Sequence, residues 1–217
     1  MLKLSFILAG LAVLGLAPAA YADTVIDTGS VYTLTYSAAG ANVYDFVLTI
    51  NTNGYAPPSG DTTNVLNAVA INVAKDASDY TGFEVLQAPA GYDTTLQNGG
   101  LGAQGCNGNN SAYLCLDYTG AGNGLPVAGS DGKDDTYTFI FQVGVNDPSN
   151  LTTKAGAANI KALFATDGAP MNGRNTDVYT ENVTLTPTPT TPEPGSLALL
   201  GTGVLGMVGV LRRRLKA

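Results

Sequence analysis

One stretch of the chain alternates between apolar and polar side chains more regularly than any other. Residues 134–145 read DDTYTFIFQVGV, and every odd position from 137 to 145 carries an aromatic residue or Val. A repeat of two residues is the period of a β-strand, because successive side chains point to opposite faces of a sheet. The stretch therefore predicts a strand with one face in a core and the other outside it.

The same alternation recurs along the body of the chain, between clusters of Gly, Asn, Asp and Pro that are typical of turns. Charged residues make up only 12% of the chain, which disfavours long amphipathic helices. About eight strands are predicted, in a two-sheet antiparallel β-sandwich with jelly-roll-like connectivity and one helical turn after Pro148. The apolar positions that mark the other strands are Tyr32, Leu34, Tyr36, Tyr44, Phe46, Leu48, Ile50, Val65, Val69, Ile71, Val73, Phe83, Val85, Ile160, Ala162, Phe164 and residues 179–185, with Asn67 as an exception.

The first 22 residues have the features of a secretory signal peptide. Lys3 precedes an apolar run over residues 4–16, and Ala20-Tyr21-Ala22 provides the small residues of a cleavage site. We expect cleavage after Ala22 and export of the remainder. A retained anchor helix is the alternative, although the run is short for a membrane span.

Residues 196–211 carry no charge and are followed by Arg212, Arg213 and Arg214. As a helix they would reach about 24 Å, against about 30 Å for the hydrocarbon core, and arginines that extend to the headgroups supply the difference. The segment also spells G-x-G-x-x-G, but a dinucleotide-binding loop needs a preceding strand and a following amphipathic helix. We therefore predict a C-terminal transmembrane helix with its arginines on the cytoplasmic side.

Pro192, Glu193 and Pro194 precede that apolar segment and the arginine cluster. This order resembles the PEP-CTERM sorting signal of exopolysaccharide-producing Gram-negative bacteria. The resemblance implies an exosortase partner, a multi-pass membrane cysteine protease or transpeptidase that processes the chain near this tripeptide while the inner membrane holds it transiently. The body is loosely similar to the regions that accompany such signals, with a Gly/Asn-rich segment and two nearby Cys ahead of TFIFQV-like and IKALF-like strands.

These features divide the chain into a signal peptide (1–22), a β-sandwich domain (23–186), a Thr/Pro linker (187–191) and a sorting signal (192–217). The sequence around the linker reads TLTPTPTTPEP, which favours an extended polyproline II spacer. Its Thr density suits O-glycosylation, and an unmodified spacer is the alternative.

Residues 88–132 are rich in Gly and lack a periodic pattern, which predicts a long loop. Cys106 and Cys115 lie within it and are the only cysteines in the chain. Export to an oxidising compartment favours a disulfide between them. A metal or redox site is the weaker alternative, because the spacing is not C-x-x-C and the chain contains no His.

The absence of His also removes the Ser-His-Asp and Cys-His triads, and nothing in the sequence brings two carboxylates together as a glycosidase requires. We therefore predict a protein that is not an enzyme and needs no cofactor. Asp131, Asp134 and Asp135 offer oxygen ligands that suit calcium, without the EF-hand spacing. A solvated turn ahead of the next strand is the alternative.

The net charge argues against nucleic acid as a partner, and the tyrosines indicate sugars as a candidate ligand. The net charge is −7 and half of the basic residues lie in the two terminal segments, so the acidic middle would be repelled by nucleic acid. Tyr55, Tyr80, Tyr92 and Tyr118 fall in or beside predicted loops, where their rings suit contact with sugars, although the chain has no Trp.

Together these features predict an exported, non-enzymatic protein of the cell envelope surface or of the exopolysaccharide matrix of a biofilm. The alternative is a carbohydrate-binding or carbohydrate-active sandwich that uses the loops around residues 88–132.

Overall fold

The computed structural model describes residues 23–95, 97–108, 112–128, 135–151, 157–171, 175–183 and 185. The predicted signal peptide, the linker and the sorting signal with its transmembrane helix lie outside these residues.

The described residues form antiparallel strands and two short 3-10 turns, Ala77–Asp79 and Pro148–Asn150. The second turn lies where the sequence predicts a helical turn. The strands are β1 (Asp23–Asp27), β2 (Ser30–Gly40), β3 (Val43–Asn51), β4 (Val65–Asn72), β5 (Tyr80–Gln87), β6 (Gln97–Asn98), β7 (Gly100–Gly102), β8 (Gly105–Gly108), β9 (Leu114–Asp117), β10 (Leu125–Pro126), β11 (Thr136–Val145), β12 (Ala158–Ala165) and β13 (Thr176–Val183).

A five-stranded sheet has the order β1-β2-β3-β11-β5. The alternation predicted for β11 is confirmed, because Phe139, Phe141 and Val143 are fully buried while Ile140 and Gln142 between them are half-buried. β5 is an edge strand, and its pairing with β11 shifts register twice. Bulges of this kind bend an edge strand and weaken it as a template for further pairing.

A six-stranded sheet has the order β13-β12-β4-β9-β6, and β10 also pairs with β4. β4 is buried on both faces, since all its residues except Asn72 are buried. Asn67, the exception in the predicted pattern, is 6% exposed, and its side-chain amide donates to the carbonyl of Asn123 at 2.6 Å. That bond supplies a partner for a buried polar group.

The inner faces of the two sheets pack into one hydrophobic core, which confirms a two-sheet antiparallel sandwich. Its largest fully buried side chains include Tyr32, Phe46, Phe139, Phe141, Phe164, Leu34, Leu48, Ile50, Ile71, Leu114 and Leu116. Removal of this apolar surface from water is the main stabilising term of such a fold.

The strand order differs from the predicted jelly roll, which consists of two Greek keys. β1, β2 and β3 are consecutive neighbours in one sheet. The turns explain this arrangement, because Thr28 and Gly29 both have positive φ, as a two-residue type I′ hairpin requires. Asn42, in the next hairpin, also has a positive φ of 59°.

Candidate functional site

Cys106 of β8 and Cys115 of β9 form a disulfide, with an S–S distance of 2.11 Å and a Cα–Cα distance of 5.7 Å. The predicted bridge is therefore confirmed. Residues 88–132, predicted as one long loop, contain the five short strands β6 to β10. The bridge ties the hairpin formed by β7 and β8, here called the cover hairpin, to the six-stranded sheet.

The cover hairpin closes part of the outer face of the six-stranded sheet. A second apolar cluster, separate from the sandwich core, lies between hairpin and sheet. Its buried members are Ala68, Ala70, Leu101, Cys106, Cys115 and Leu163. This cluster explains why β4 is buried on both faces.

Asp117 is a second link between the cover hairpin and the sheet. Its two carboxylate oxygens accept from the backbone N–H of Cys106 at 2.8 and 3.1 Å. Gly105 permits this approach, because its φ is 94° and a Cβ there would lie 2.6 Å from Oδ1 of Asp117. Burial raises the pKa of Asp117, the nearby Asp93 raises it further, and the bond from Cys106 opposes both effects.

Cys106, Cys115 and Asp117 place two sulfur atoms and a carboxylate oxygen within 4.8 Å of one another. Metal ions bind cysteine as the thiolate, and here the two sulfurs are bonded to each other. In this oxidised form the three residues are a structural link.

Tyr55 and Tyr92, two of the four tyrosines considered for glycan contact, lie in the sandwich core. Tyr55 is 4% exposed and stacks on Phe164 with ring centroids 4.2 Å apart. Tyr92 is 7% exposed, and its hydroxyl donates to the carbonyl of Leu66 at 3.0 Å. Burial raises the pKa of Tyr92 well above its usual value. These positions correct the expectation that both rings are available at the surface, since long-range packing covers them.

Tyr80 and Tyr118 are only partly buried but also take part in packing. The hydroxyl of Tyr80 donates to the carbonyl of Ala112 at 2.7 Å, and burial raises its pKa. The ring of Tyr118 lies edge-on to Tyr92 at 5.6 Å and leaves no space for a side chain at Gly91, whose Cβ would be 2.3 Å from it. Glycan contact by Tyr80 and Tyr118 stays a prediction.

Asp131 and Asp134 lie outside the described residues, and Asp135 is 2% exposed at the start of β11. The backbone of Asp135 joins β11 to the end of β3, because its carbonyl accepts from the N–H of Thr52 at 2.9 Å. Its own N–H donates to the side chain of Asn53 at 2.9 Å. Calcium binding by the three aspartates stays a prediction.

The outer face of the five-stranded sheet carries a groove of about 330 Å³, which was not predicted from the sequence. Gly144 of β11 faces Gly82 of β5 in the ladder, so this position has no side chain on either strand. Gln142 faces Glu84 one step further along the same face. The residues that line the groove are Val43, Thr81, Gly82, Phe83, Glu84, Gln142 and Gly144.

The side chain of Gln142 is oriented by its neighbour on β3, since its Nε2 donates to Oδ1 of Asp45 at 2.8 Å. Within the described part of the chain, the carbonyl oxygen of Gln142 and the carboxylate of Glu84 have no hydrogen-bond partner. The one local signal of this groove is Gly144 inside the strand predicted over residues 134–145, because a glycine within a strand indicates a bulge or a close approach of another backbone or a ligand.

No helix among the described residues is long and apolar enough to cross a membrane. The predicted transmembrane helix at 196–211 lies outside those residues, as do Pro192, Glu193, Pro194 and the arginine cluster.

Comparison with known proteins addresses this terminal region directly. A family model described as the PEP-CTERM protein-sorting motif matches residues 190–214, a range that includes all the residues predicted for sorting. No curated protein matches the chain. The motif indicates that an exosortase processes the chain and that the protein is sorted to the exterior. The chain therefore carries a PEP-CTERM protein-sorting motif, which implies export and placement at the cell surface or in the extracellular space.

Proposed function

We propose that this chain is a non-enzymatic protein of the envelope surface or exopolysaccharide matrix of a Gram-negative bacterium. The sorting motif at residues 190–214 is the observation that carries this proposal, because it directs the sandwich domain outside the cell. A chain without His has few routes to general acid–base catalysis, and the half-buried Asp117 is engaged by a backbone N–H.

The architecture suits a protein that persists outside the cell. A disulfide is stable in an oxidising compartment, and here it holds the segment of the domain that has the most Gly and the shortest strands. The Thr/Pro linker would separate the domain from the membrane until the exosortase acts at or near residues 192–194.

The test replaces Pro192, Glu193 and Pro194 together by Ala and follows the protein by cell fractionation and surface proteolysis. The variant should accumulate unprocessed in the membrane fraction, whereas the unaltered protein should reach the cell surface or the medium. Pro187→Ala with Pro189→Ala is the matched control, because it makes the same type of change upstream of the matched motif. Equal surface delivery of the triple variant would refute this sorting route.

A carbohydrate-binding role is the second candidate. The observation that favours it is the open groove on the five-stranded sheet, which Glu84 and Gln142 line together with apolar residues, rather than the loop tyrosines, two of which are buried.

A further inference from the structure

The two outer faces of the sandwich differ. The cover hairpin packs on the six-stranded sheet, whereas the outward residues of β2, β3 and β11 in the five-stranded sheet, apart from Gly144, are half-buried or exposed. This second face carries one row of threonines, in which Thr33 pairs with Thr49 and Thr49 pairs with Thr138 across three strands. The next row toward the groove contains Val47 and Ile140. Neighbouring strands lie about 4.8 Å apart, so the threonines form a closely spaced row.

The groove lies at the β5 side of this face, where Gly82 leaves the floor open. Gly144 beside it is buried. A Cβ added at Gly82 would meet no atom within 4 Å, so the space above it is free. Thr81 borders the floor, because its Oγ1 would lie 2.6 Å from a Cβ added at Gly144. A volume of about 330 Å³ falls at the small end of the range for ligand sites.

The polar groups beside this floor are mainly hydrogen-bond acceptors. Glu84 and the carbonyl oxygen of Gln142 have no partner within the described residues, and Asp45 fixes the orientation of the Gln142 amide at 2.8 Å. Such acceptors match a ligand that presents many hydroxyl donors. A bond from a hydroxyl to a carboxylate is among the stronger hydrogen bonds in proteins.

The charges of the sheet exclude anionic ligands. The five strands contain Asp and Glu but no Lys or Arg. Phosphates, sulfates and uronic acids would therefore be repelled. A strand of another protein is also a poor match, because the groove lies on the face of the sheet and bulges interrupt the β5 edge.

We propose that the groove over Gly82 and Gly144 binds one sugar residue of a neutral polysaccharide, with Glu84 and Gln142 accepting hydrogen bonds from its hydroxyls. The threonine row on the same face, beyond Val47 and Ile140, contacts a more distant part of the glycan chain. This site deepens the proposed matrix role and rests on it for the class of ligand.

The test is affinity electrophoresis of the full-length protein in detergent, in gels that contain one neutral polysaccharide each: a β-glucan, an α-glucan, a mannan or a galactan. At least one of these polymers should retard the protein. Gly82→Val obstructs the groove floor, where an added Cβ meets no other atom, and a β-branched residue suits a strand, so this variant should stay folded and lose the retardation. Glu84→Gln should weaken binding by about tenfold, through loss of a charged acceptor.

Thr180→Val is the control. Thr180 is exposed on β13 of the six-stranded sheet, so this variant also places a valine on a strand surface but away from the groove, and it should bind like the unaltered protein. Thermal melting of each variant checks the fold independently of binding.

Three results would overturn the site assignment. The first is that none of the four polymers retards the protein, and the second is that Gly82→Val is retarded as strongly as the unaltered protein. The third is that the anionic polymer polygalacturonate retards the protein as strongly as a neutral polymer does. A change in sedimentation coefficient caused by Gly82→Val, without an effect on polysaccharide binding, would instead assign the groove to contact between protein copies. Loss of binding leaves the sorting experiment unaffected, so failure of the site and failure of the proposed export route are separable.

Discussion

Removal of the disulfide should release the cover hairpin while the sandwich core stays folded. The perturbation is Cys106→Ala with Cys115→Ala, because both positions are buried and Ala introduces no polar group. The cluster under the hairpin is separate from the sandwich core. The core therefore retains its own contacts when the hairpin detaches.

The bridge joins residues nine positions apart in the sequence. Closing a loop of about ten residues stabilises a protein by roughly 2.7 kcal/mol in the chain-entropy description. Leu101 of β7 is 5% exposed in the cluster between hairpin and sheet and would become exposed when the hairpin detaches. Burial of one Leu side chain contributes about 1.5–3 kcal/mol. A detached hairpin regains chain entropy, which offsets much of the Leu101 contribution, so we expect the double variant to lose about 3 kcal/mol of unfolding free energy.

The assay combines urea unfolding with hydrogen exchange measured by mass spectrometry. Amides of residues 100–108 should lose protection in the variant, while those of β11 keep most of theirs. Dithiothreitol should destabilise the unaltered protein by a similar amount and leave the variant unchanged, which controls for side effects of the substitutions. An unchanged urea midpoint, or hairpin amides that stay as protected as those of β11, would refute the reasoning.

Two further predictions concern single buried groups. Tyr92→Phe removes the buried hydroxyl that donates to Leu66 and should lower the free energy of unfolding in urea by about 1 kcal/mol. In Tyr118→Phe the lost hydroxyl bond is exposed, so the change should be less than about 0.5 kcal/mol. Equal effects of the two substitutions would contradict the burial argument. The pKa of Asp117 is raised, so the folded protein binds the carboxyl proton of Asp117 more tightly than the unfolded chain does. The stability that this proton contributes is therefore present at low pH and falls as pH rises from about 4 through the pKa of the folded state. Asp117→Asn should lack that part of the decline, and identical pH slopes for the two proteins would count against it.

The strands were predictable where one face alone is buried. In β11 the alternation of Phe139 and Phe141 with half-buried neighbours is visible in the sequence itself, because the pleat has a period of two. β4 gave a less regular pattern, since the cover hairpin buries its second face and a distant loop satisfies Asn67. Those contacts are tertiary and leave no local signal.

The candidate sites show the same limit. The disulfide followed from cysteine count and compartment, whereas Asp117 was not predicted, because its bond to Cys106 depends on how the hairpin folds back. Tyr92 lies in a glycine-rich stretch, yet long-range packing places it in the core. The groove depends on Gly82 facing Gly144 across two strands that are far apart in sequence. Pairing register cannot be read from either segment alone.

The central claim is that the motif at residues 190–214 sends the sandwich domain outside the cell through exosortase processing. The most direct measurement is the mass of the C-terminal peptide of the protein recovered from the cell surface or medium. We predict a C-terminus at or near residues 192–194, without Arg212, Arg213 and Arg214, and no such product in cells that lack the exosortase. Surface protein that retains the arginine cluster, or identical processing without the exosortase, would contradict the account.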